Sequence, residues 1–387
     1  MPRGHLSIVL HGHLPFVRHP EYPCFLEENW FFEAIIECYV PLLIRFHRLA
    51  GEGVQFRVNV VLSPTLLHMM RDDLLRERFI RHLMALERLA EREERRLAGD
   101  ERMLGLARFY RWRLGEVHGF WDRWHGDLAG AFSDLEARGY VEIMTCAATH
   151  GFLPILAAVP EAVRAQVRVG VLSHARQIGR APRGFWMPEC AYYPGLDEVL
   201  AEAGVRFTVM ETHGLLNGSI PPRHGVYRPV YAPSGVAIFG RDPESSRQVW
   251  SAENGYPGDF SYRDFYRDIG FDLPLEYLGE ASHPDGIRLF TGIKYHRITH
   301  AHGIEGKDLY DPRIALERSA DHAGNFMFNR QLQVRHLASA MEPAPVVVSP
   351  YDAELFGHWW FEGPDFLEML FRKMHYDQDE VKTATLA

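Results

Sequence analysis

The chain has 387 residues, 47% of them hydrophobic and 24% charged, ample apolar material for one large α/β domain with insertions. A formal net charge of −9 offers no bulk attraction to nucleic acid or to an anionic membrane surface. Cys24, Cys38, Cys146 and Cys190 are scattered without C-x-x-C spacing, so a disulfide framework and a structural zinc site lack support, and a reducing, cytoplasmic setting is expected.

Taken in chain order, MPRGHLSIVLHGHLP reads as a first strand and not as a signal peptide, and no apolar run approaches bilayer length. Strand-like runs are predicted at His5–Leu10, Phe56–Leu62, Val141–Thr145, Gly184–Met187, Phe207–Glu211, Ile287–Gly292 and Val346–Ser349. Helical spacing covers Trp30–Ala50, Ser63–Arg96, Tyr110–Arg138, Pro160–Ile178 and Pro364–His375, with a helical insertion at about 66–138. Such alternation predicts a mostly parallel sheet covered on both faces. Polar residues follow at least four strands: His11 and His13, His150, Glu189, and Asp352. Converging strand ends of that kind favour a barrel over an open sheet with one switch point. The segment at about 221–277, rich in Pro, Gly, Asp and aromatics, predicts an active-site loop region. Glu380–Thr383 is a possible closing strand.

Three stretches carry chemistry. His11-Gly-His13 follows the first strand, and the i, i+2 spacing turns both rings to one side, toward metal, substrate hydroxyls or merely backbone groups. Trp186-Met-Pro-Glu189-Cys190 fixes a carboxylate beside an indole, a setting that tunes a carboxyl or excludes water, although most glutamates are simply solvated. Ser349-Pro-Tyr-Asp352 ends a strand, and Glu354, His358, Trp359 and Trp360 follow. Asp352 and Glu354 share a side only if the strand continues. Indoles are usually core, yet sugar rings also stack on them. Two carboxylates on different strands fit glycosidic chemistry, one attacking or stabilising an oxocarbenium-like carbon and the other protonating the leaving oxygen.

HGHLP (11–15), THGFLP (149–154), WMPEC (186–190) and SPYDAELFGHWW (349–360) together resemble four successive regions of glycoside hydrolase family 57, in the right order and across most of the chain. EENWFFEAI (27–35) and TGIKYHRIT (291–299) resemble its 1,4-α-glucan branching enzyme branch. The resemblance implies a distorted (β/α)7 barrel over residues 1–387 with retaining chemistry, no metal and no cofactor. By motif, Glu189 matches the nucleophile and Asp352 the general acid/base; His11, His13 and His150 match pocket residues. Trp30, His213 and Trp360 are expected lining, and Tyr231 and Tyr256 are both open as the loop tyrosine assisting transfer. The implied partner is an α-glucan such as amylose or a glycogen-like chain, bound by a monomer or weak homo-oligomer, with no nucleic acid or membrane involved. Members of this branch continue into a helical C-terminal region that adds aromatics to the cleft, whereas this chain stops at Ala387. Rival expectations are an α-amylase or 4-α-glucanotransferase of the same family, a metal-dependent carbohydrate deacetylase, and a non-catalytic glucan-binding remnant.

Overall fold

The structure is a computed structural model, and residues 2–251, 255–299 and 306–387 are described. Nine strands occur among them: β1 (Gly4–Gly12), β2 (Val58–Leu62), β3 (Val141–Cys146), β4 (Gly184–Trp186), β5 (Phe207–Met210), β6 (Val230–Tyr231), β7 (Ala237–Gly240), β8 (Val346–Asp352) and β9 (Val381–Thr383). The sheet order is β6-β7-β5-β4-β3-β2-β1-β8, with β9 added to the start of β1. Every neighbouring pair is parallel except β6–β7. Seven parallel strands therefore curl into a (β/α)7 barrel. No ladder joins β7 to β8, but Asp242 N–H donates to Val348 O at 2.8 Å and draws the two edges together.

Side chains alternate across β1 as a strand requires. Leu6, Ile8 and Leu10 face the helical layer, while Val9 points inward with Val61, Met144, Cys146, Trp186, Val209 and Val348. Toward the strand N-termini Asn59 fills the barrel, donating to Ser7 Oγ and Ile8 O (both 2.9 Å) and accepting from Leu386 N–H at 3.0 Å. The inward parity of β1 continues to His11 and, beyond the strand, to His13. Apolar side chains fill the middle of the barrel above Asn59, and polar residues line its top.

The long helical spacing at 63–96 breaks at Asp72, which is extended and accepts from Leu75 N–H, so Pro64–Arg71 and Asp73–Arg96 are separate helices. Glu101–Arg123 and Leu128–Ala137 follow, capped by Asp100 and Asp127. The 221–277 segment holds β6 and β7 as well as loops, and its residues 252–254 lie outside the described set. Ile287–Gly292 is no strand. That run is held by Asp268, which accepts from the N–H groups of Thr291 and Gly292, and it has no partner strand. Among the described residues no helix is long and apolar enough to cross a membrane.

Candidate active site

Four strand ends assemble one polar cluster. β1 delivers His11, 6% exposed, whose Nδ1 lies 3.1 Å from Asp352 Oδ1 at the end of β8. The two are register partners, so the ladder itself sets this contact. His150 follows β3 and stacks on His11 (4.8 Å between centroids) and on His13 (4.0 Å). Trp186, ending β4, stacks on the other neighbour, His11, at 4.9 Å. Glu189 follows in a tight 3-10 turn, with its Oε1 3.8 Å from His150 Nε2. Asp352, His11, His150 and Glu189 thus form one chain of contacts across the barrel mouth.

Backbone strain concentrates here. Four non-glycine residues have positive φ among the described residues, and three of them are His150, Glu189 and Cys190. Left-handed geometry costs a side-chain-bearing residue about 1–3 kcal/mol and persists where the surroundings over-determine it. The turn lifts the Glu189 carboxyl to 74% exposure above Trp186, and Asp352 stands 54% exposed, so both carboxylates open to solvent. Burial, then the neighbouring His11, hold His13 neutral, its pKa lowered to about 4. Burial, then His11 and His13, lower His150 to about 3.

Asp352 precedes a 3-10 turn at Ala353–Leu355, and Glu354 lies within that turn. Glu354 turns under the cluster, accepting from His13 N–H at 3.2 Å and from the Tyr39 hydroxyl. Burial raises its pKa to about 8.

Beside Glu354 and Leu14 opens a cleft of about 550 Å³ walled by Trp30, Trp359, Phe265, Phe271 and Phe290. Its wall rests on buried charge. Trp359 stacks on Phe265 at 4.6 Å, and Lys294 Nζ lies over Phe265 and Phe290 at 4.4 and 4.6 Å. Glu37 accepts from Arg263 (2.9 Å) and meets His358 Nδ1 at 2.7 Å. Burial opposes ionisation of Glu37, but Arg263 and His358 outweigh it and hold the carboxyl well below the usual range.

Sequence-predicted lining residues divide. Trp30, 54% exposed, faces the cleft, whereas His213 lies exposed on the short helix that follows β5 and is not among the residues walling the cleft. Trp360 does not face it: at 1% exposure it packs among Tyr262, Phe356 and Phe366, and Trp359 takes the cleft wall instead. Gly357 decides this. With φ 120° it lies so close to Glu37 O that a Cβ would come within 1.8 Å. Tyr231 is at the opposite end of the barrel, paired with Ala237 where β7 starts, because β7 and β5 begin together there. Tyr256 packs on His322 and Phe366 and donates to Asn325 at 2.7 Å, over a separate surface hollow with Asp259 and Arg318. Sequence reasoning missed Phe265, Phe290 and the rim pair Arg241–Glu211 (3.2 Å). An Arg following a strand and a Glu following its neighbour were the available signal for the pair.

The mouth of the seven-stranded barrel thus holds two open carboxylates, Asp352 and Glu189, beside two histidines, His13 and His150, that burial keeps neutral. The profile of Glycosyl hydrolase family 57 matches residues 7–387, and the chain belongs to that family. A crystal structure of the α-amylase AmyC from Thermotoga maritima superimposes with a TM-score of 0.95 at 43% identity, covering 100% of this chain and 74% of that one. The chain is 34% identical to a 1,4-alpha-glucan branching enzyme of Thermococcus kodakarensis over 416 residues, which is 100% of this chain and 57% of that protein. The crystal structure of that branching enzyme gives a TM-score of 0.85 and covers 99% of this chain. The chain therefore spans a little over half of the Thermococcus enzyme's length.

Proposed function

We propose that the chain is the catalytic barrel of a retaining 1,4-α-glucan branching enzyme. Glu189 attacks the anomeric carbon of an α-1,4-linked glucan while Asp352 protonates the departing glycosidic oxygen. The 6-hydroxyl of an acceptor glucan then displaces Glu189, its proton passing to Asp352, and an α-1,6 branch results. His11, His13 and His150 stack together, and they orient hydroxyls of the sugar between the carboxylates. The observation that carries the reading is the contact chain Asp352–His11–His150–Glu189, which sets two exposed carboxylates around one pocket. Trp30 and Trp359 add flat apolar faces for neighbouring glucose units. Amylose or glycogen-like chains are the substrate class. Four free cysteines, three of them buried, support a reducing cytoplasmic setting, and branching of an α-glucan is a step of glycogen synthesis.

A second reading is α-amylase activity, favoured by the likeness to the Thermotoga protein. It shares the first half-reaction, and water replaces the acceptor hydroxyl.

Labelling with a 5-fluoro-α-glucosyl fluoride tests the roles. The expected adduct lies on the peptide bearing Glu189 and is lost in Glu189→Gln. A stable adduct on another carboxylate, or substantial turnover by Glu189→Gln, contradicts the assignment.

A further inference from the structure

The floor of the barrel mouth brings two of these histidines together with a buried thiol that glycosidic chemistry does not use. One ring nitrogen of His11, one of His150 and Sγ of Cys146 all lie within 4.8 Å of one another. Cys146 Sγ is 3.7 Å from His150 Nδ1. A cation at about 2.3 Å from sulfur and about 2.0–2.1 Å from nitrogen in tetrahedral geometry brings its S and N ligands to a similar separation. His11 spends Nδ1 on Asp352, and its remaining nitrogen, Nε2, is buried without a hydrogen-bond partner in a side chain only 7% exposed. Buried polar atoms of that kind normally have a partner.

The surroundings complete the pattern. Metal-bound histidines commonly donate their other ring N–H to a carboxylate. Here the far edges of the two rings already meet carboxylates, His11 at Asp352 and His150 at Glu189.

We infer that His11, Cys146 and His150 form a site for one thiophilic divalent cation, such as Zn²⁺, at the floor of the active-site pocket. Binding forms two metal–nitrogen bonds and one metal–sulfur bond, and the thiol proton leaves to solvent. A fourth position stays open toward the pocket. The consequence for activity rests on the functional reading above. A bound cation fixes the His11 ring as an N–H donor to Asp352, so that carboxylate is held as an acceptor, and the ion occupies space that the sugar needs. Occupation therefore inhibits.

The test titrates the full chain, first freed of metal by chelation, with Co²⁺ and Zn²⁺. One equivalent of Co²⁺ should give a near-ultraviolet thiolate-to-cobalt band that a maltooligosaccharide suppresses. Cys146→Ala should lose the band and weaken Zn²⁺ binding by about tenfold or more, whereas Cys24→Ala keeps both. X-ray absorption of the Zn²⁺-loaded parent protein should show one sulfur and two or three nitrogen or oxygen neighbours, independently of any variant. Zn²⁺ should inhibit conversion of amylose reversibly, and Cys146→Ala should stay active and resist inhibition. No band, a band surviving in Cys146→Ala, or a zinc shell without sulfur overturns the site. A Cys146-dependent band with undiminished activity under Zn²⁺ overturns the inhibition. Absence of glucan activity in the metal-free protein contradicts only the functional reading, because the spectra need no turnover.

Discussion

His11 Nδ1 stands 3.1 Å from Asp352 Oδ1, and the two residues are also register partners across β1 and β8. The barrel's hydrogen-bond ladder thus places the proposed acid/base against its orienting histidine without help from a loop. Glu189 is held differently. Its position comes from a left-handed turn and a 3.8 Å approach to His150. One carboxylate is fixed by the sheet and the other by strain.

Removing His11 should therefore act on chemistry more than on binding. His11→Ala is expected to lower kcat by about 10²-fold with a much smaller change in KM, while the cleft is untouched. Steady-state kinetics on a short maltooligosaccharide separates the two parameters. A rise in KM at constant kcat would mean that His11 only grips substrate.

Trp359 and Trp360 are neighbours in sequence with opposite expectations. Trp359→Ala and Trp30→Ala should raise KM for glucan severalfold and leave the unfolding midpoint nearly unchanged, since both indoles are more than half exposed. Trp360→Ala should cost about 3–5 kcal/mol of stability. Urea unfolding alongside kinetics checks all three.

Gly357→Ala places a Cβ against Glu37 O and requires a φ that alanine resists. The expected result is lost stability together with weaker glucan binding, because His358 and Trp359 hang from this turn. A variant with native melting temperature and native KM would contradict the role given to Gly357.

Burial, then the adjacent Glu37, raise Glu33 from the ordinary value near 4.5 to about 8. The folded state therefore keeps a proton that the unfolded chain releases between those values. This group's contribution is complete below pH 4.5, declines as pH rises toward 8, and is flat above. Glu33→Gln should remove that decline, so the variant gains on the parent protein across the window in urea unfolding at successive pH values. A constant difference between the two proteins would contradict it.

The parallel strands that carry the histidines and carboxylates were legible because each is a short apolar run ending in a polar residue. β7 was not, since Ala237–Gly240 is four residues set among prolines and glycines. Ile287–Gly292 misled in the opposite direction: its apolar alternation serves the cleft wall and the Asp268 anchor and not a sheet. Pairing of Asp352 with His11 follows from strand register, whereas pairing of Glu189 with His150 rests on two left-handed residues beyond the strand ends that sequence does not show. The choice between Trp359 and Trp360 depends on one glycine's φ, and the displacement of Tyr231 to the barrel's far end depends on a two-residue antiparallel strand. Neither leaves a local sequence signal. Lys294 under Phe265 and Phe290 is a long-range contact of the same kind.

The measurement that most directly tests the central claim is incubation of the protein with amylose, followed by enzymatic debranching and chain-length analysis. The account predicts new α-1,6 branch points that release a distribution of short chains on debranching, and none with Glu189→Gln. Growth of reducing ends alone, with no chains released by debranching, would contradict branching and leave hydrolysis as the activity of this barrel.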